Sequence, residues 1–147
     1  MDSRRLALSL ARKYKTRDPF RIAEAMGYTI IFTPLVGVRG FYQFMKRCHI
    51  IYLDDSLDEN EARFVCAHEL GHSLLHRGFN RIFMDTRTLM RTGRYEREAD
   101  RFAADLIYDD ADLQDFLQLP LPTAAACLGL SEDVAAYRLQ GIQCSFY

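Results

Sequence analysis

Asp58-Glu59-Asn60-Glu61-Ala62-Arg63-Phe64-Val65-Cys66-Ala67-His68-Glu69-Leu70-Gly71-His72 is the stretch on which the reading of this chain turns. Asp58 is a good N-cap residue, and Glu61 follows three positions later in an aspartate variant of the capping box. A helix therefore begins here. Residues four apart on a helix project from nearly the same face, so the imidazoles of His68 and His72 can reach one metal ion. Glu69 lies about 100° around the helix from His68. That position suits a general base acting on water better than a third ligand.

The winding of this helix places Glu61, Phe64, Val65, His68, His72 and Leu75 on one stripe. The stripe is mostly apolar, so both histidines face packed protein. One histidine on such a face is ordinarily a core residue. Two at ligand spacing, flanking a glutamate, match the H-E-x-x-H signature of zinc peptidases.

Composition narrows the alternatives. The 147 residues suffice for one domain with a core, and a hydrophobic fraction of 49% with 27% charged residues is that of a globular protein. A formal net charge of -1 gives no electrostatic reason to expect nucleic acid or an anionic membrane as partner. No apolar run approaches the roughly 20 residues of a membrane helix. Arg12 and Lys13 interrupt the N-terminal apolar stretch and no small-residue cleavage site follows, so no signal peptide is expected. Cys48, Cys66, Cys127 and Cys144 are widely spaced and form no CxxC pair. They read as reduced thiols in or near the core of a cytoplasmic protein.

Residues 3 to 15 read as an amphipathic helix carrying Leu6, Leu10 and Ala11. Asp18-Pro19 opens a second, short helix that Gly27 closes. Strands are expected at 28 to 33, 38 to 45 and 49 to 53, with a turn near Lys46-Arg47. After the motif helix, 80 to 92 reads as an arginine-rich loop, and 95 to 108 as a second long helix. The Leu-Pro-Leu-Pro break at 119 to 122 precedes two short helices, around 123 to 128 and 132 to 139. The expected fold class is α+β: a small antiparallel sheet of about three strands packed against a metal-binding helix pair, with additional N- and C-terminal helices. The expected domain organisation is a single unit over 1–147, with 118–147 as a helical C-terminal extension.

A catalytic zinc generally takes three protein ligands and leaves one position open. The candidates for the third are His76, Glu96, Glu98 and a cysteine. On a continuous helix His76 lies about 12 Å along the axis from His68, too far to share an ion, and reads as a packing or helix-end residue. Cys66 points to the opposite side from His68. On the second helix Glu96, Ala99, Asp100, Ala103 and Ile107 share a small, apolar stripe. Glu98 falls with Arg94, Arg101 and Asp105 on a charged face, where Arg94–Glu98 is an i,i+4 pair. Glu96 is thus aimed into the core, which is costly unless a cation neutralises it. Asp100, one turn later, is placed to accept the second ring N–H of a ligand histidine. The competing structural reading pairs Glu96 and Asp100 with arginines of the 81 to 94 stretch.

HELGHSLLH, followed about twenty residues later by YEREADRFAADLI, resembles the ImmA/IrrE family of metallopeptidases, over roughly residues 15 to 110. The resemblance implies zinc held by His68, His72 and Glu96, with Glu69 as the catalytic glutamate of a zinc-dependent endopeptidase. It also implies a regulatory role, since family members are often encoded by phages and mobile elements and several cleave or inactivate a helix-turn-helix repressor. The family's helix ending carries a proline where this chain has Tyr108-Asp109, so an altered helix end is expected. Relatives often add a helix-turn-helix domain, for which no room is expected at the N-terminus.

The mechanism expected is zinc-assisted hydrolysis of a protein or peptide, with Tyr42, Tyr95 and His76 as candidate oxyanion donors. The strand over 38 to 45 could offer an edge to an extended substrate. A different class of function is a non-catalytic, metal-containing regulator that binds a repressor or other protein partner, although such a site needs no general base. A third is DNA binding through the C-terminal helix pair. The would-be recognition helix SEDVAAYRL offers only Arg138 as a base, which makes nucleic acid a poor partner.

Overall fold

The protein is described from a computed structural model covering residues 2–76 and 89–144. Helices α1 (Ser3–Tyr14) and α2 (Pro19–Ala25) precede strands β1 (Thr29–Thr33), β2 (Gly40–Met45) and β3 (Cys48–Asp54). Helix α3 (Glu59–Leu75) carries the histidines, and α4 (Leu89–Ile107) carries the downstream acids. A 3-10 helix (Asp110–Gln118), α5 (Leu121–Leu128) and α6 (Glu132–Cys144) complete the described chain. The α+β class with three strands is as expected.

The local signals act as they were read. Asp18 caps α2 by accepting from Phe20 N, with Pro19 at the start of the helix. Asp58 and Glu61 form the reciprocal capping box: Glu61 N donates to Asp58 Oδ1 over 2.8 Å and Asp58 N to Glu61 Oε1 over 3.1 Å. Lys46 and Arg47 both adopt positive φ, 51° and 63°. This is the two-residue turn whose twist matches a hairpin, and it sets Met45 opposite Cys48.

The sheet corrects one expectation. It is mixed, in the order β1-β3-β2: β2 pairs antiparallel with β3, but β1 pairs parallel with it. The hairpin returns its second arm into the gap beside β1, so the 34–39 connection must cross about 10 Å, two strand spacings. Six residues reach that far with length to spare. The crossover is pinned by Asp54, whose carboxylate accepts from Leu35 N over 3.0 Å and from the Ser56 hydroxyl, and whose N–H donates to Arg39 O over 2.9 Å. These bonds hold the Asp54 carboxyl below the usual carboxylate range, the Ser56 bond most.

One core joins α1, α2, β3, α3 and α4 through Ala7, Ile22, Ile51, Leu70, Phe102 and their neighbours. Helix α3 is central and buried on several sides. Gly40 lets β2 lie close against it, since a Cβ there would sit 2.7 Å from Val65 Cγ1.

Two further expectations fail at α4. The helix begins at Leu89, so it runs through Gly93 instead of starting after it. The flanking Leu, Met and Arg are good helix formers, and one interior glycine costs only about 1 kcal/mol. The loop expected over 80 to 92 otherwise falls largely outside the described residues. The charged face of α4 is solvated only in part: Arg94 and Arg101 are exposed, but its C-terminal end is covered. Ala104, Ala125, Leu130, Val134 and Ala135 form a second apolar cluster there. Asp105 is only 4% exposed, accepting from Tyr137 Oη over 2.7 Å. The C-terminal helices cover that face, and α6 runs past 139 to Cys144.

Arg138 points inward. It is 4% exposed, lies 2.6 Å from Asp110 Oδ1 and 3.7 Å from Asp105 Oδ1, and donates to the carbonyls of Tyr108 and Ala104. The single base of the helix-turn-helix-like segment is therefore withdrawn from any phosphate. Arg138→Ala should destabilise the protein by about 3 kcal/mol, because it strands buried acceptors. Chemical denaturation reads this directly, and a loss below about 0.5 kcal/mol would contradict the assignment.

The cysteines divide. Cys66 is buried in the core, whereas Cys48 and Cys127, expected in or near it, are exposed. Burial pushes the Cys66 thiol far up. A disulfide-exchange reagent should label Cys48 and Cys127 in the native protein and Cys66 only after unfolding, which mass spectrometry of digests distinguishes.

Candidate metal centre

Helix α3 presents His68 and His72 one turn apart, and α4 crosses it closely enough to bring its acids to both. The close approach depends on Gly71. A Cβ at that position would lie 2.8 Å from Cδ1 of Phe102, a fully buried ring of α4. The missing side chain of α3 thus seats a large side chain of α4 between His68 and His72 in sequence.

The result is a tight triangle. Nε2 of His68 and Nε2 of His72 are 3.1 Å apart. The Glu96 carboxylate closes on both, with Oε2 3.0 Å from His68 Nε2 and Oε1 2.8 Å from His72 Nε2. Nδ1 of His68 donates to Asp100 Oδ1 over 2.7 Å, which leaves its Nε2 facing the triangle. Glu69 is almost fully buried, with Oε2 3.9 Å from His68 Nε2. Ligand atoms of His68, Glu69 and His72 lie within 4.8 Å of one another. The two bonds to Glu96 are shorter than the Glu69 contact, so Glu96 joins the donor group and Glu69 stands beside it.

The electrostatics fit a strongly coupled cluster. Burial alone would lower the His68 imidazolium, but the bonds to Asp100 and Glu96 outweigh it and raise its pKa to about 9. Burial likewise opposes ionisation of Glu96, yet the bonds to His68 and His72 hold its carboxyl far below the usual range.

Glu98 departs from its sequence reading. It does pair with Arg94, Nε to Oε1 at 3.1 Å, but its other oxygen lies 3.0 Å from Nε2 of buried His76. Nδ1 of His76 is in turn 2.9 Å from Nδ1 of His72. Both ring nitrogens of His76 are thus engaged, which removes it from the candidate oxyanion donors. Tyr95 packs its ring on His76, with centroids 4.2 Å apart, and Tyr42 Oη meets His49 Nδ1 at 2.5 Å. His76 reads in the sequence as a packing or helix-end residue, and it is the C-cap of α3. No sequence signal ties it to Glu98, since their meeting depends on how two helices cross. As to arginine partners for Glu96 and Asp100, Arg94 goes to Glu98, and 81–88 lie outside the described residues.

Two imidazole nitrogens and a carboxylate converging on one point are donors of the kind that can hold a divalent metal. Tetrahedral zinc with bonds near 2.05 Å separates its ligand atoms by about 3.3 Å, close to the 2.8–3.1 Å spacings here. The residues present fit such an ion.

Residues 23–140 match the family described as the IrrE N-terminal-like domain, a peptidase family. The chain belongs to this ImmA/IrrE family. It is 40% identical over 102 residues to the uncharacterized immunity region protein 2 of Bacillus phage phi105, covering 69% of this chain and 65% of that protein. It is 27% identical over 111 residues to the metallopeptidase ImmA of Bacillus subtilis strain 168, covering 74% of this chain and 64% of ImmA. The matched part thus spans slightly under two thirds of each relative. No described helix is long and apolar enough to cross a membrane.

Gly71→Ala is diagnostic of the helix contact. Alanine should stabilise a helix interior by about 1 kcal/mol over glycine, but here overpacking against Phe102 should reverse the sign, with a net loss of about 1–2 kcal/mol. Combining it with Phe102→Leu should recover part of the loss. Thermal melts of the three variants check this, and a stabilised Gly71→Ala would show that the helices are not held at that point.

Proposed function

We propose that the protein is a zinc-dependent endopeptidase in which His68, His72 and Glu96 hold the metal and Glu69 is the catalytic base. The observation that carries the reading is the convergence of two imidazole nitrogens and one carboxylate within 3.1 Å, beside a buried glutamate. Membership of a peptidase family supports it. The bound zinc would supply Lewis-acid chemistry, acidifying water and polarising the scissile carbonyl.

This chain's residues do the rest. Asp100 accepts the Nδ1 proton of His68 and so keeps Nε2 available as a ligand. Glu69 takes a proton from the attacking water at its carboxylate and passes it to the departing amine. Its burial excludes bulk water from that exchange. We further propose a regulatory substrate inside the cell, a helix-turn-helix repressor. The phage immunity region protein among the relatives supports that choice, as do the family traits the motif resembles.

Glu69→Gln should keep stoichiometric zinc and lose at least 100-fold in peptide cleavage, the usual contribution of a general base. Glu96→Ala should lose the metal itself. Metal content by elemental analysis and cleavage of candidate repressors by mass spectrometry provide the two readouts. Full cleavage by zinc-loaded Glu69→Gln would remove Glu69 from the chemistry. A cellular effect that survives Glu69→Gln would favour a non-catalytic, partner-binding regulator instead.

A further inference from the structure

His76 and Glu98 have no place in the chemistry above, yet the structure ties them to it. Nδ1 of His72 and Nδ1 of His76 are 2.9 Å apart. Two imidazole nitrogens at that distance share a single proton, so one donates and the other accepts. Which does which is decided at the far side of His76. There Nε2 meets Glu98 Oε2 at 3.0 Å. An ionised carboxylate only accepts, so His76 Nε2 carries the hydrogen.

A neutral His76 then offers a lone pair at Nδ1, and His72 must supply the hydrogen. With a metal in the triangle, His72 would thus keep its hydrogen at Nδ1 and turn a lone pair at Nε2 to the ion; that Nε2 is the atom 2.8 Å from Glu96 Oε1 and 3.1 Å from His68 Nε2. Glu98 is held for this task, because Arg94 Nε binds its other oxygen at 3.1 Å. His76 is held as well. Its side chain is 3% exposed, Tyr95 packs on its ring, and it sits at the cap of α3 with its N–H on His72 O.

We propose that Glu98 and His76 are positioning residues that fix the tautomer and orientation of His72 through a carboxylate–imidazole–imidazole chain, as Asp100 does directly for His68. The inference rests on the proposed metal site. It adds that each ligand histidine is oriented by a carboxylate of α4, one directly and one through an intervening ring. Glu96 and Glu98 therefore have separate duties, although they are two residues apart: the first turns to the ligand triangle, the second to the back of it.

The test is zinc affinity of the full chain, measured by competition with a chromophoric chelator, beside thermal melts of each metal-free variant. His76→Leu and Glu98→Gln should each weaken zinc binding by about 10–100-fold. In Glu98→Gln an amide N–H can donate to His76 Nε2 and reverse the chain. His76→Asn should restore most of the affinity, because Oδ1 can accept where Nδ1 did. The visible spectrum of the cobalt-substituted protein should shift in His76→Leu and return in His76→Asn. A merely structural histidine would not produce that pattern. Unchanged affinity in His76→Leu and Glu98→Gln would overturn the proposal, as would equal losses in His76→Leu and His76→Asn. If His76→Leu does not fold, Glu98→Gln decides alone, since it alters a partly exposed side chain. His72→Ala separates the two levels: zinc bound by wild type and lost in His72→Ala, but indifferent to the other variants, would sink the relay and spare the site. A wild-type chain that binds no zinc would sink both.

Discussion

The contact of Gly71 with Phe102 is the constraint on which the rest depends. Histidine and acid come from helices whose key residues stand 28 and 32 positions apart in the chain. Only close packing of α3 on α4 brings their polar tips to within hydrogen-bonding distance. Assembling a buried Glu69, three half-buried acids and three imidazoles works against folding, because each loses water. The favourable side is apolar. Helix α1 packs on α4, while α2 and the sheet pack on α3. These layers press the two helices together from both sides, and Gly40 removes the bulk that would hold β2 away. The polar cluster is therefore a consequence of a core that was large enough to carry it.

Charge and geometry are solved together. Each bond that orients a ring also sets where protons sit. Asp100 takes the proton side of His68, and the Nε2 side is left to meet Glu96. In the cluster as it stands, His68 holds its proton tightly and Glu96 gives its own up readily. Those are opposite answers to the same burial, and proximity explains both.

The sequence discloses whatever is encoded locally or by period. The Asp58 capping box, the Asp18-Pro19 start, the Lys46-Arg47 turn and the His68/His72 spacing are short-range features, and the structure has each of them. Helical phase separates Glu96 from Glu98 in the histidines they reach but not in depth, since both side chains are 35% exposed. What was not legible depends on partners far away in the chain. A hairpin does not say which of its arms will lie beside β1, so the parallel pairing was missed. Asp105 reads as a surface acid until Arg138 and Tyr137 arrive from α6. The His76–Glu98 link needs the crossing of two helices, and phase alone assigned Glu98 wholly to Arg94. Nor does any strong period mark the 3-10 helix over Asp110–Gln118, whose acids make it look like a loop.

The end of α4 shows how such distant partners serve the site. Beyond Ile107 the chain continues with Tyr108-Asp109, and the last carbonyls of the helix need donors from elsewhere. Two arginines supply them. Arg17, between α1 and α2, donates from one nitrogen to the carbonyls of Asp105, Leu106 and Tyr108 at 3.0–3.2 Å. Arg138, from α6, donates to the carbonyls of Ala104 and Tyr108. Positive charge at a helix C-terminus also complements its dipole. Fixed at that end by the N-terminal segment and α6, α4 has little freedom to slide or turn along α3. A rotation of α4 by one residue would swing Glu96 away by about 100°, and Asp100 with it. The C-terminal helices, which look in sequence like a DNA reader, thus act as a brace that keeps two carboxylates in phase with two histidines.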